Sequence, residues 1–369
     1  MLITKIISPF FFLGMRIISI IVYVLTILAA FGGSINPDYL TLPALLSLAF
    51  PYLAILSILL IIFWAITRKI IFCGLGIVTI IICLTPLSTV FPLGSAREPN
   101  KKDETFKIIS WNVLHTKDIR KPEYAGNRAV EFMINSGADI ICLTELLGIN
   151  DKEIPHFTKQ LKDSLFKAYP YQAGLQTTDI KVLSKYPVKR LERISYNSTG
   201  NCRFDFFQIS FPDKKELIVA MVHLYSYGLS QEERRVVTEI NSVETAKTSM
   251  KEFKGSIRQK LRAAFRQRAE DAKKLREELD DISPEIPLIV CGDFNDVPTS
   301  WTYNIVKGDD LRDAYSETNF GPAITYNLHA FYFHIDQMLY RGNLEAIDLK
   351  IGKINSSDHY PLIGEFEFK

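Results

Sequence analysis

The sequence predicts an α/β domain of mixed strands carried behind three transmembrane helices. Three observations lead there. Only Lys5, Arg16, Asp38, Arg68 and Lys69 of the 84 Lys, Arg, Asp and Glu side chains precede residue 95. The first quarter is therefore about 5% charged and the rest about 29%, a division that one globular domain does not show. Within that first quarter, residues 17–33, 39–67 and 70–96 run without a charge. Beyond it, short apolar runs alternate with segments of helical periodicity. The split excludes a wholly soluble chain, and it excludes a polytopic transporter.

A bilayer core takes roughly 20 apolar residues as helix. The second and third stretches meet that length, and the apolar segment before Arg16 extends the first, with Arg16 snorkelling to the interface. Lys5 and Arg16 precede the first span, and Arg68 and Lys69 fill the tight turn between the second and third. The Ser34–Tyr39 loop has no basic residue. The positive ends thus face the cytoplasm and the large domain lies outside it. Read as a signal peptide instead, the first span would be cleaved near Ala30-Phe31-Gly32, leaving the domain on the same side. The expected organisation is an anchor over residues 1–93, a polar linker over 94–103 and a domain over 104–369, with a helical insertion near 230–282.

In the domain, strands are expected at Phe106–Asn112, Asp139–Leu143, Ile180–Leu183, Arg203–Ser210, Leu217–Leu224, Pro287–Cys291, His334–Tyr340, Leu344–Ile351 and Leu362–Phe368. Several are unbroken apolar runs, as strands buried on both faces are. Helices are expected at Asn127–Ser136, Glu153–Lys167, Glu232–Phe253, Arg258–Asp281 and Ser300–Val306. The stripe from Val236 to Ile282 is narrow and the rest of that stretch is charged, which reads as a solvated helical hairpin or a basic rim over a site or against anionic lipid. Cys142, Cys202 and Cys291 read as buried thiols, and no Cys/His zinc spacing occurs.

Several strands end in groups that bind cations or move protons. These are Asn112, Glu145, His223, and Asp293 with Asn295; Asp358 and His359 precede the final strand. An apolar strand delivers its terminal side chain to one edge of a sheet, so residues far apart in sequence can meet there. Hard oxygen donors suit magnesium or manganese, and neutral imidazoles suit general acid–base work near neutral pH.

Together SWNV (110–113), LTE (143–145), VHL (222–224), GDFND (292–296), HID (334–336) and SSDH (356–359) resemble the endonuclease/exonuclease/phosphatase superfamily, over residues 104–369. The anchor resembles a bacterial branch with three N-terminal spans. The resemblance implies a four-layer sandwich, two packed mixed β-sheets flanked by helices, with an active site at one edge. It further implies Glu145 as main ligand of Mg²⁺ (or Mn²⁺), supported by Asn112 and Asp358. His359 would be the general base, with its tautomer fixed by Asp336. Asp293 and Asn295 would position or deprotonate the attacking water, and His223 would contact the phosphate and protonate the leaving oxygen. Two departures stand out. Thr144 replaces the Gln that many members carry before the glutamate, and Gln337-Met-Leu follows Asp336.

The expected activity is hydrolysis of a phosphodiester by an enzyme of the bacterial inner membrane working on the extracytoplasmic side. Its substrate would be a lipid headgroup or other phosphoester, with a membrane-bound nuclease as the alternative and a non-catalytic binding protein of the same fold as a third reading. No protein partner is expected. Residues 95–369 carry 39 basic and 40 acidic residues, which lacks the basic surplus usual in proteins that track a nucleic-acid backbone.

Overall fold

The computed structural model describes residues 9–100, 104–114, 125–146, 158–174, 179–192, 203–227, 243–328 and 331–369. Its first helices are α1 (Pro9–Ala30), α2 (Thr41–Ile66), α3 (Ile70–Ile82) and α4 (Leu84–Val90). Two helical stretches, Pro9–Ser34 and Thr41–Ile66, are long and apolar enough to cross a membrane. The expected third span is broken: α3 and α4 meet at 68° and make a span only as a bent pair. Pro86 explains the bend, because it lacks an amide hydrogen and its ring crowds the carbonyl of Ile82. Polarity in this bundle is inverted. Trp64 Nε1 donates to Ser19 Oγ (2.8 Å) and Thr26 meets Ser57 (2.8 Å) inside, while Ile21, Leu28, Leu59 and Ile81 face outward half-exposed. Helices packed in lipid are built this way. Arg16 lies over the Phe72 ring and Lys69 over Phe12, so these basic residues share one end of the bundle.

The remainder folds in the order β1 (Thr105–Asn112), α5 (Ala125–Asn135), β2 (Ile140–Thr144), α6 (Lys159–Ala168), β3 (Tyr171–Ala173), β4 (Lys181–Ser184), β5 (Val188–Arg190), β6 (Arg203–Ser210), β7 (Glu216–His223), α7 (Val243–Asp280), β8 (Leu288–Asp293), α8 (Trp301–Lys307), β9 (Arg312–Asp313), α9 (Ala314–Thr318), β10 (Tyr326–Leu328), β11 (Phe331–Phe333), β12 (Asp336–Arg341), β13 (Leu344–Ile351) and β14 (Leu362–Phe368). Two six-stranded sheets result, β13-β14-β1-β2-β4-β3 and β5-β6-β7-β8-β12-β9, beside a β10-β11 ribbon. Each sheet has one parallel pair, β1/β2 or β7/β8, in an otherwise antiparallel order.

The unbroken apolar runs bury both faces of their strands. Ile108, Cys142, Met221, Ile289, Cys291 and Phe366 fill the layer between the sheets. The alternate residues Ile109, Trp111, Ile141 and Leu143 pack outward with the α5–α6 layer, and Ala220, Val222, Leu288 and Val290 pack on α7 and α8. The layers are therefore helix, sheet, sheet and helix.

The solvated hairpin expected near 230–282 is not what forms. Val243–Asp280 is one 38-residue helix, and residues 228–242 lie outside the described residues. Gly255 disfavours helix by only about 1 kcal/mol, too little to break a stripe that continues to Ile282. Along the second half of α7, Ala269, Ala272, Leu275 and Leu279 are wholly buried on the sheet. Each such leucine contributes about 1.5–3 kcal/mol. Arg341 Nη2 donates to the carbonyls of Leu279 (2.7 Å) and Ile282 (2.8 Å) and so closes the C-terminal end of α7.

Candidate active site

Strand register brings the site together. Parallel β1 and β2 end with Asn112 opposite Thr144, and Glu145 follows. Parallel β7 and β8, in the other sheet, end with His223 opposite Asp293. Antiparallel β12 starts at that point, with Asp336 opposite Asp293. Leaving the strands, the chain turns sharply: Leu114, Glu145 and Asn295 have φ of 44°, 55° and 51°. Non-glycine residues in this region cost about 1–3 kcal/mol each, a cost typical of active-site turns.

The functional atoms converge on Asn112. Its Nδ2 donates to Glu145 Oε1 and to Asp293 Oδ2, both at 3.0 Å. Two imidazoles flank this pair of carboxylates. His359 Nδ1 is 2.8 Å from Asp336 Oδ2, and its Nε2 is 3.6 Å from Asp293 Oδ2. His223 Nδ1 is 2.8 Å from Asp179 Oδ2, and its Nε2 is 3.6 Å from Glu145 Oε1. In both dyads the carboxylate accepts from Nδ1–H, so Nε2 is the nitrogen offered to the cleft. Backbone and hydroxyl bonds hold the frame. Thr325 Oγ1 accepts from Asp336 N (3.0 Å), Trp111 Nε1 donates to His359 O (3.0 Å), and Ser357 Oγ donates to Asn112 O (2.7 Å).

All eight residues singled out from the sequence lie at this edge. Asn112, Glu145, His223, Asp293, Asp336 and His359 touch one another in a chain of contacts. Asp358 stands beside His359 with Oδ1 accepting from Ser357 Oγ (3.4 Å). Asn295 uses its side-chain amide on Leu224 O (3.0 Å) and its backbone amide on Asp293 Oδ1 (2.8 Å), and so pins the turn. Asp179 was missed. It sits at a bend rather than after an apolar run, and its only signal is an acidic residue directly before Ile180–Leu183.

The electrostatics follow from burial and crowding. Burial pushes the Asp293 carboxyl up to about 6, with the His359 charge opposing and the Asp336 charge adding to the rise. Burial alone would lower His223, but the Asp179 hydrogen bond and the charges of Asp293, Asp179 and Glu145 outweigh it and raise it to about 9. Burial likewise opposes protonation of His359, and Asp336 and Asp293 overcome it and hold it well above the ordinary imidazole range.

The donors fit a hard divalent cation. Glu145 and Asp293, two carboxylates that repel, are joined by a neutral amide, and the ligating atoms of Asp293, Asp336 and His359 lie within 4.8 Å of one another among the described residues. Glu145 and Asp358, expected from the sequence as holders together with Asn112, lie outside that group. Thr144 Oγ1 is buried beside Glu145 with no hydrogen-bond partner, a sign that threonine in place of glutamine leaves a hydroxyl unused here.

Behind the GDFND turn lies a feature not foreseen. Arg268 of α7 is fully buried, with Nη1 donating to Tyr225 O (2.9 Å), Nε 3.4 Å from Asp296 Oδ2 and the guanidinium 4.3 Å from the Tyr227 ring centroid. Arg268→Met leaves Asp296 as a buried unpaired charge. It is expected to cost about 3–5 kcal/mol in denaturant unfolding and to loosen the turn that holds Asp293 and Asn295.

The solved structures this chain is similar to include an endonuclease/exonuclease/phosphatase from Beutenbergia cavernae DSM 12333 (15% identity, covering 72% of this chain and 72% of that one, TM-score 0.44). Another is the human Nocturnin catalytic domain with bound sulfate (16%, 72% and 95%, 0.45). A third is an endonuclease/exonuclease/phosphatase family protein from Bacteroides thetaiotaomicron (14%, 72% and 98%, 0.45). No curated protein matches the chain. A family described as a domain of unknown function matches residues 9–90. The Endonuclease/Exonuclease/phosphatase family model matches residues 109–359, which runs from β1 to the imidazole of His359 and takes in every residue of the site. On that match the chain belongs to the endonuclease/exonuclease/phosphatase family.

Proposed function

We propose that this chain is a membrane-anchored, divalent-cation-dependent phosphodiester hydrolase whose domain, residues 104–369, works outside the cytoplasm from an anchor (1–93) and linker (94–103) in a bacterial inner membrane. The observation that carries the reading is the pair of His–Asp dyads aimed at the Glu145–Asn112–Asp293 cluster. The placement of Arg16, Arg68 and Lys69 supports the sidedness, since the first and last meet at one end of the bundle and the Gly32–Leu40 loop meets the domain at the other.

In the proposed reaction, Asp293 and Asn295 place a water opposite an ester oxygen. His359 Nε2 takes one proton from that water as its oxygen bonds to phosphorus. The P–O ester bond on the far side breaks, and the departing oxygen takes a proton from His223 Nε2, leaving a phosphomonoester and an alcohol. Asp336 and Asp179 keep both rings oriented. A Mg²⁺ or Mn²⁺ ion held by Glu145, Asn112 and Asp358 would neutralise charge gathering on the phosphate and weaken the negative field that raises both imidazoles.

Stripping divalent cations from the full chain in detergent is expected to abolish turnover of bis(p-nitrophenyl) phosphate, with Mg²⁺ or Mn²⁺ restoring it. Glu145→Gln should lower kcat by roughly 10²–10³-fold. Full activity after chelation would reject the mechanism.

A further inference from the structure

We infer that the substrate is a phosphodiester of the bilayer itself, a phospholipid whose headgroup enters the site beside the β10–β11 ribbon; this rests on the phosphoester-hydrolase reading above. The ribbon joins the catalytic edge to the anchor. On its inner strand the Tyr326 ring meets the His359 ring edge-on at 5.0 Å, and Thr325, directly before it, holds the backbone of Asp336. Across the ribbon, Asn327 pairs with Tyr332, whose carbonyl accepts from Tyr52 Oη of α2 at 3.2 Å. A two-stranded ribbon, about 5 Å between strand axes, is what separates the imidazole's neighbour from the membrane helix.

The depth of that contact matters. At about 1.5 Å per residue, Tyr52 lies roughly 21 Å from the Ile66 end of α2. A hydrocarbon core about 30 Å thick counted from Ile66 reaches to about Leu46. The Tyr52–Tyr332 contact therefore lies roughly 9 Å below the lipid boundary on the domain side, within the about 5–10 Å to which interfacial segments bury.

The other border of the site is also tied to the anchor, roughly 7.5 Å nearer the Thr41 end of α2. The chain following GDFND docks on the anchor through Thr299 Oγ1 to Ser47 O (3.4 Å) and Asn304 Nδ2 to Gly33 O (3.3 Å). The fit there is close, since a Cβ on Gly33 would lie 2.1 Å from Thr299 O. In the ribbon and just before it, large apolar side chains stand exposed: Phe320 is 80% exposed, Tyr332 48% and Ile324 42%. Phe320 bridges to Leu93 just beyond α4. Side chains of this kind enter the headgroup–acyl boundary. With both borders held there, the phosphates nearest the dyads are those of the leaflet on which the domain rests.

The test uses the full chain in vesicles of phosphatidylethanolamine and phosphatidylglycerol doped with a phospholipid bearing a p-nitrophenyl phosphodiester headgroup. Bis(p-nitrophenyl) phosphate in water and single-stranded DNA serve as comparison substrates. The bilayer substrate is expected to exceed both in kcat/KM. Combined Phe320→Asp and Tyr332→Asp should cut its turnover about tenfold and leave that of the soluble diester within about twofold. Cleavage of the soluble diester with the lipid untouched would overturn the inference and leave the hydrolase reading standing. Preference for DNA would do the same and assign a nucleic-acid substrate. A variant that loses both substrates equally also overturns it, because the rim would then serve the fold and not lipid entry. No cleavage of any diester, even with added Mg²⁺ and Mn²⁺, would remove the hydrolase reading and this inference with it.

Discussion

Replacing His359 with alanine is expected to lower turnover by roughly 10²–10⁴-fold, the usual worth of a positioned proton-transfer group, and to lower the melting temperature as well, because two buried carboxylates lose their imidazole partner. What anchors the turn is the main chain of His359, whose carbonyl accepts from Trp111 and whose amide donates to Ser357. The ring's partners are Asp336 and Asp293, and losing the imidazole removes the charge that offsets two buried carboxylates. Asp336→Asn separates holding from reacting. It keeps the imidazole but replaces the acceptor at Nδ1, so a smaller fall in kcat with a shifted pH profile is expected. Equal losses in the two variants, with no change of profile, would place His359 outside the proton transfer.

The largest stability effect is expected at Gly292, in the middle of the catalytic strand ends. Its φ is 141°, and a Cβ there would sit 1.9 Å from the carbonyl oxygen of Val222, a backbone atom of the neighbouring parallel strand. No rotamer change relieves that contact. β7 and β8 must part, and this pair carries His223 and Asp293. Gly292→Ala is expected to cost about 4 kcal/mol or more, read as a drop in the urea midpoint, with activity lost even where the protein still folds. A destabilisation below about 1 kcal/mol, small on the scale of ordinary substitutions, would mean that the strands tolerate separation.

The sequence was a good guide where physics makes a long signal. Unbroken apolar runs such as Ile218–Val222 and Leu288–Cys291 announce strands buried on both faces, and a polar residue closing such a run is conspicuous. That is why His223, Asp293 and Asn112 were legible. Strands of two or three residues, such as Val188–Arg190, Arg312–Asp313 and Phe331–Phe333, are too short to show a period. The β10–β11 ribbon was invisible for that reason. Asp179 was hidden because its role depends on where a bend puts it. In the anchor the total apolar length was right, but the bend at Pro86 is a local steric event that hydropathy averages away. The charged face of α7 suggested a solvated hairpin, while its narrow stripe was in fact a core layer. Arg268 looked like one of eleven basic residues on that helix, and only packing reveals that it turns inward.

The placement of β14 has a consequence for how the chain comes to life. This strand lies between β13 and β1, so the first strand of the domain gains its antiparallel neighbour only when the segment behind His359 arrives. During synthesis, Asn112, Glu145, His223 and Asp293 are all made before that imidazole exists, and its turn is fixed by contacts back to Trp111 and Asn112. A growing chain therefore lacks the complete site until its last strand is in place between β13 and β1.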